Sequence, residues 1–211
     1  MSSRMFVSMN IAIIGTGHSG DDYAISFAMT GHEVFMAWKE GDNASKSSNA
    51  LLLDNVHACS IEEAADIADL IIVTSTPKDV REVAYWLGDA RHKVIIDATA
   101  NLFVPEKEAM TTTYALQSIT GSAHVIKIFS TRGYEQILRP LFKGDKVELL
   151  LAGESKKAKE VMKILAPDMG FITYYDLGGS DTIPLFDELA KCWRNLASAQ
   201  NLFPNTNTHL A

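Results

Sequence analysis

The chain has 211 residues, enough for one α/β domain or one domain with a small appendage, and 47% of them are apolar, enough for a large buried core. Its formal net charge of −7 argues against nucleic acid or an anionic membrane surface as a partner. The two cysteines, Cys59 and Cys192, match neither a metal nor a redox spacing, which fits reduced thiols in a cytoplasmic protein. No apolar stretch is long enough to span a bilayer, and the first residues lack the apolar centre of a signal peptide. Residues 1–8 read as a short extension, 9–203 as one domain and 204–211 as a polar tail.

The first unit of the domain is Asn10 to Gly31. Ile11 to Ile14 is a short β-branched run typical of a strand buried on both faces. It breaks at Gly15-Thr16-Gly17-His18-Ser19-Gly20, and Tyr23 to Met29 follows at helical spacing. Strand, G-x-G-x-x-G turn and helix are together the context of a dinucleotide fingerprint. Gly15 permits the tight turn, Gly17 lets backbone approach a pyrophosphate, and Gly20 lets the helix pack on the strand. The amides opening the helix then face phosphate, aided by the helix dipole.

A second strand, Glu33 to Trp38, ends in Lys39-Glu40. NAD-selective sites usually carry an acid at this point, for the ribose 2′-hydroxyl. Lys39 instead suits a 2′-phosphate and Trp38 an adenine face. The pattern predicts NADP, while Glu40 keeps NAD open and a solvated lysine beside a core tryptophan remains the plainer alternative. A third strand, Val56 to Cys59, precedes a helix that Ser60 and Glu63 open as a capping box.

Leu70 to Thr74 is the fourth strand. Thr74-Ser75-Thr76-Pro77 then stands at its carboxyl end, where open α/β sheets bind ligands, and Lys78 to Leu87 reads as helix. The fifth strand, Val94 to Ile96, runs into Asp97-Ala98-Thr99-Ala100. Asp97 reads as an acid that satisfies nearby backbone amides rather than as a catalytic carboxylate. A helix is expected within residues 105–120, a sixth strand over Val125 to Phe129 and a short helix over Tyr134 to Leu138. Arg132 reads as solvated.

The seventh strand is Lys146 to Ala152, followed by a helix, Lys156 to Leu165, whose lysines 156, 157, 159 and 163 read as a solvated face. Gly170 to Tyr175 is an eighth strand. A last helix, Pro184 to Leu202, carries an apolar stripe through Leu185, Leu189, Cys192, Trp193 and Leu196, suited to core or dimer contact. The predicted class is therefore a single Rossmann-like, doubly wound, mostly parallel α/β sheet of about eight strands with a C-terminal helix.

The six histidines are scattered without ligand spacing, and no metal site or catalytic triad is legible. His18 alone lies in the phosphate turn. Hydride delivery to a carbonyl needs a proton donor near the oxygen, whereas exchange between two flat cofactors needs mainly aligned rings in a dry cleft. No clear proton donor is present, so no catalytic side chain is expected and cofactor-to-cofactor transfer fits better than hydroxyacid oxidation.

Several segments together carry a family resemblance. They are Ile13-Ile14-Gly15-Thr16-Gly17, Gly31-His32-Glu33-Val34, Val125-Ile126-Lys127-Ile128-Phe129-Ser130-Thr131, Leu151-Ala152-Gly153-Glu154, Ala158-Lys159, Met169-Gly170-Phe171 and Asp176-Leu177-Gly178. With them the chain resembles the NADPH-dependent coenzyme F420 reductases, and is similar to the soluble NADPH-binding domain of STEAP-type metalloreductases. The resemblance implies NADP at the glycine turn, F420 or a flavin as acceptor, and often a homodimer. It implies that Lys39 meets the 2′-phosphate, and that Thr74 to Pro77, Ala98 to Ala100 and Ser130-Thr131 line the nicotinamide and acceptor cleft.

Some residues depart from the family pattern: Asp21 and Asp22 at the helix start, Ser130 for the usual Asn, and a bulky Trp38. Inward-facing aspartates would repel a pyrophosphate, and outward-facing ones would not. Alternatives from other classes are a non-catalytic dinucleotide-binding regulator and a small imine or hydroxyacid reductase. The last would need a titratable donor near Asp97 or Lys127.

Overall fold

The computed structural model describes residues 8–15, 17–39, 48–99, 111–130, 148–186, 188, 189, 192 and 195. Eight strands form one sheet: β1 (Asn10–Ile14), β2 (Glu33–Ala37), β3 (Val56–Cys59), β4 (Leu70–Val73), β5 (Val94–Asp97), β6 (Val125–Ser130), β7 (Glu148–Ala152) and β8 (Thr173–Asp176). Their spatial order is β3-β2-β1-β4-β5-β6-β7-β8. Pairing is parallel from β3 through to β6, with Ile13 opposite Met36 on one side and Ile72 on the other. β7 runs antiparallel to β6, and β8 parallel to β7. The order reverses at β1, so ligand space opens beyond the carboxyl ends of β1 and β4.

The helices are α1 (His18–Met29), α2 (Ile61–Ile67), α3 (Val80–Leu87), α4 (Thr112–Thr120) and α5 (Lys156–Leu165). They cover both faces, as a parallel sheet of purely apolar strands requires. On one face Tyr23 and Phe27 of α1 and Ala158, Met162 and Leu165 of α5 pack on Ile11, Ile13, Ile72, Ile96 and Ile126. On the other, α2, α3 and α4 pack on Ala12, Ile14, Ile71, Val73 and Ile95. This second layer is rich in alanine (Ala64, Ala65, Ala84, Ala115), which lets the helices sit close to the strands and to one another.

Local signals set most boundaries. Ser60 and Glu63 form the expected capping box on α2. Gly121, left-handed at φ +71°, ends α4. α1 begins at His18 rather than near Tyr23, so Gly20 lies within its first turn. The helix predicted from Lys78 starts at Val80, after a turn in which Asp79 N–H donates to the Thr76 carbonyl at 2.9 Å. Lys159 is not part of a solvated face: its ammonium reaches Asp176 Oδ1 at 2.7 Å and the Gly178 carbonyl at 2.8 Å, fastening α5 to the end of β8.

In the last segment, Ile183 and Phe186 are buried against Phe129 and Ala152. Leu185 is 55% exposed, and Cys192 is exposed too, so the expected stripe does not face the core at those two positions. Trp193 and Leu196, the body of the last helix, the helix over Tyr134 to Leu138, and Arg132 lie outside the described residues.

Candidate functional site

Four strand ends are tied side by side to form the floor of a cleft. Gly15 N–H donates to Ala37 O at 2.9 Å, Thr74 N–H to Ile14 O at 2.8 Å, and Ala98 N–H to Val73 O at 2.9 Å. The turns after β1, β2, β4 and β5 are therefore held in register, and Ser130 ends the neighbouring β6. The expected site residues Gly15, Gly17, His18, Ser19, Gly20, Trp38, Lys39, Thr74, Ser75, Thr76, Pro77, Ala98, Thr99 and Ser130 fall on this one rim. Thr16, Ala100 and Thr131 lie outside the described residues.

Two glycines of the turn have a steric reason. Gly15 has φ +136°, and a Cβ there would stand 2.7 Å from both Ser75 N and Thr74 Oγ1. A Cβ on Gly20 would come within 2.9 Å of Thr74 Oγ1 and 3.5 Å of Ile13, so α1 rests directly on the strand layer. Gly17 is different: among the described residues nothing lies within 4 Å of where its Cβ would be. The space in front of Gly17 is open, as a phosphate-bearing ligand requires.

Gly17 is the N-cap of α1 and offers no side-chain cap. The first N–H bonded within the helix is that of Gly20, to Gly17 O at 2.9 Å. His18 and Ser19 are exposed and open the helix, where backbone amides lack an intrahelical partner and form the positive end of the helix dipole. Asp21 does not compete for them. Its Oδ1 accepts from the Ser48 hydroxyl and from Ala50 N–H at 3.2 Å, which turns the carboxylate toward the segment between β2 and β3. Asp22 is exposed. A further observation fits a polar ligand: the Ser75 hydroxyl oxygen is enclosed and has no hydrogen-bond partner among the described residues. A buried hydroxyl left in that state costs free energy unless something else satisfies it.

Other expected hydroxyls are already committed. Thr74 donates to Ile14 O at 3.3 Å, and Thr76 to Asp79 Oδ2 at 2.6 Å. Thr99 is buried, and its hydroxyl and amide donate to Asp97 Oδ1 at 2.6 and 3.0 Å. Its carbonyl accepts from Lys127 Nζ at 3.0 Å, so hydroxyl, amide and carbonyl of Thr99 are all turned to the Asp97–Lys127 pair. Trp38 is half-buried against the core layer that contains Met36.

Asp97 is fully buried and anchors a cluster larger than the backbone amides expected for it. Thr112 and Thr113, the first two residues of α4, each donate a hydroxyl to Oδ2 at 2.6 Å. Lys127 Nζ lies 3.2 Å from the same oxygen and also donates to Thr99 O, Thr99 Oγ1 and Thr112 Oγ1 at 3.0–3.1 Å. Burial pushes the Asp97 carboxyl up, yet Lys127 and the three threonines outweigh it and hold it below the usual carboxylate range. Lys127 itself is 2% exposed. A lysine between Ile126 and Ile128 on an inner strand requires a buried counter-ion, and that was the one sequence signal for this pair.

Lys39 also has partners that the sequence did not reveal. Its ammonium is 3.0 Å from Asp79 Oδ1 and 2.5 Å from Glu82 Oε2, both at the start of α3. Glu82 and then Asp79 hold the Lys39 pKa above the ordinary lysine value. The Thr76 hydroxyl and Lys39 draw Asp79 below the usual carboxylate range against the effect of burial. Among the described residues, no group of three or more His, Cys, Asp or Glu is placed to hold a metal ion, and no helix is long and apolar enough to cross a membrane.

Residues 10–101, which carry this rim from β1 to the turn after β5, match the family described as NADP oxidoreductase, coenzyme F420-dependent. Over that stretch the chain is similar to F420-dependent NADP oxidoreductases. The F420-dependent NADP reductase of Methanothermobacter thermautotrophicus is 34% identical over 100 residues, a match that spans 43% of this chain and 43% of that protein. This chain therefore matches less than half the length of that relative.

Likeness in fold extends further. A structure from Arthrobacter sp. FB24, provisionally described as an F420-dependent NADP reductase, superposes with a TM-score of 0.73 over 92% of this chain and 96% of its own, at 20% identity. An imine reductase variant from Myxococcus stipitatus, in complex with NAD+, gives 0.65 over 94% of this chain and 63% of its own, at 14% identity. The family match stops at residue 101, short of the segments around Lys127, Gly153 and Gly178 that the sequence resemblance also drew on.

Proposed function

We propose that this chain is an NADP-dependent oxidoreductase that moves hydride between NADP(H) and a flat redox acceptor of the deazaflavin (F420) or flavin class. The observation that carries the reading is the turn at Gly15 to Gly20. One glycine is wedged against Thr74 and Ser75, the next faces open space, and two exposed residues begin α1. That arrangement offers a diphosphate unpaired donors and dipole without a side chain in the way. The outward turn of Asp21 toward Ser48 and Ala50 removes the electrostatic objection to it. The match over residues 10–101 supports the choice of dinucleotide class.

In this reading the amides of His18 and Ser19 hold the pyrophosphate, and the Ser75 hydroxyl gains the partner it lacks. Lys39 approaches the adenosine ribose from the end of β2. Ala98, Thr99 and Ser130 border the nicotinamide and acceptor at the ends of β5 and β6. A bound nicotinamide supplies the hydride. The chain's own contribution is to hold two rings face to face and to keep water from between them.

Among the described residues, Asp97 and Lys127 are the groups that a proton-donor role would call on. Asp97 and Lys127 are turned on each other and on three threonine hydroxyls, which leaves neither placed to protonate a carbonyl or an amine. That enclosure favours ring-to-ring transfer over the imine or hydroxyacid alternative, despite the shared fold. The test is NADPH oxidation by the purified protein with F420, FMN or FAD, read as loss of NADPH absorbance. Turnover with at least one acceptor is expected. Tight NADP(H) binding with no turnover on all three would favour the regulatory alternative.

A further inference from the structure

We propose that Glu82 and Asp79 set the dinucleotide preference of this site, by holding Lys39 in an ion pair that a 2′-phosphate has to break. The inference rests on the glycine turn being a dinucleotide site, and it concerns a different pair of residues from those that would hold the pyrophosphate.

Lys39 stands two residues beyond the end of β2, the point at which a cation serves a 2′-phosphate and an acid serves a free 2′-hydroxyl. Here both kinds of group are present, because α3 brings two acids to the lysine. Asp79 Oδ1 and Glu82 Oε2 lie 3.0 and 2.5 Å from Nζ. One cation and two carboxylates leave this triad with a charge of −1. Lys78, another cation that acts on Asp79, is exposed.

A phosphate monoester carries between one and two negative charges at neutral pH. To reach Lys39 it has to displace a carboxylate and then lie beside it. A free ribose meets no such penalty, since its hydroxyls can donate to the same carboxylate oxygens.

The two acids are not equivalent. Asp79 is fixed from behind by the Thr76 hydroxyl at 2.6 Å, and it precedes the first residue of α3. Glu82 lies on the first turn of the helix with its side chain 52% exposed, free to swing into solvent. Glu82 is therefore the partner that yields to phosphate, and Asp79 the fixed one that keeps Lys39 pointed at the site. Both are positioning residues and neither touches the reacting atoms.

The experiment is a calorimetric titration of NADPH and of NADH into the wild-type protein, Glu82→Gln, and Glu82→Gln combined with Lys39→Met. Gln keeps the length and hydrogen-bonding capacity of Glu without its charge. One carboxylate about 4 Å from one phosphate charge in water is worth about fivefold. Glu82→Gln is expected to tighten NADPH by about fivefold or more and to leave NADH within about twofold. The added Lys39→Met change is expected to abolish that gain, because the 2′-phosphate then has no cation to pair with. Equal NADPH affinity in wild type and Glu82→Gln would overturn the proposal, as would an equal gain for both dinucleotides. Failure of every protein to bind either dinucleotide would instead overturn the site itself.

Discussion

Replacing Lys127 by Met tests whether the Asp97 cluster is a paired ion site or simply a carboxylate in a nest of hydroxyls. Met preserves most of the buried stem and removes the ammonium that spans Asp97 Oδ2, Thr99 O, Thr99 Oγ1 and Thr112 Oγ1. Asp97, fully buried, would then keep four donors: the Thr99 amide and the hydroxyls of Thr99, Thr112 and Thr113. It would lose its only ion-pair partner among the described residues.

Removing one member of a buried pair costs about 3–5 kcal/mol, much of it from the charge left behind. That is a large share of the 5–15 kcal/mol typical of a domain. The pH dependence should also change sign. In the native protein Asp97 is held below its ordinary value, so its contribution is complete above about pH 4 and is lost as pH falls through the lower folded value. Without the ammonium, burial dominates and the folded-state value rises, so the variant should gain stability as pH falls from 7 toward 5.

Urea unfolding at pH 7 and pH 5 reads both effects. The double variant with Asp97→Asn should lose less than the sum of the two single losses. A loss below about 1 kcal/mol with an unchanged pH profile would mean that the hydroxyls alone hold the carboxylate.

Three further perturbations have defined outcomes. Gly15→Ala places a side chain at φ +136° and 2.7 Å from Ser75 N, so it should cost at least about 2 kcal/mol in thermal unfolding and abolish dinucleotide binding. Ser75→Ala removes an unpartnered hydroxyl; the free protein should melt at the same temperature or higher, while the stabilisation given by NADPH should shrink. Ser60→Ala opens the capping box on α2 and should cost about 1 kcal/mol in chemical unfolding, with no change in nucleotide binding.

Features set by local chain chemistry were legible in the sequence. The β-branched runs, the capping box at Ser60, and Gly15 and Gly20 each report a nearby backbone requirement, and the structure gives these two glycines distinct steric causes. Among the described residues, strand ends moved by one to three residues, the start of β8 farthest, from Gly170 to Thr173. What the sequence could not supply was the set of partners brought together from distant segments. Lys39 meets Asp79 and Glu82 some 40 positions away, and Lys127 meets Asp97 across 30. The family resemblance places Thr99 on the cleft; its commitment to Asp97 follows only once α4 delivers Thr112 beside it. Asp21 is the converse case, an apparent obstacle until Ser48 and Ala50 are seen to draw it aside.

The reversal of direction at β7 separates two rims of the molecule by purpose. Because β7 and β8 run against the other six strands, Glu154, Gly178 and Ser180 gather at the end of the sheet opposite the glycine turn. There Gly153 N–H donates to Gly178 O at 3.0 Å and Ser180 N–H to Glu154 Oε1 at 2.8 Å, a fastening that shares no residue with the nucleotide rim. A fluorophore attached at the exposed Asp181 would therefore report unfolding of the far edge while leaving cofactor chemistry untouched, so that the two properties can be followed independently in one sample.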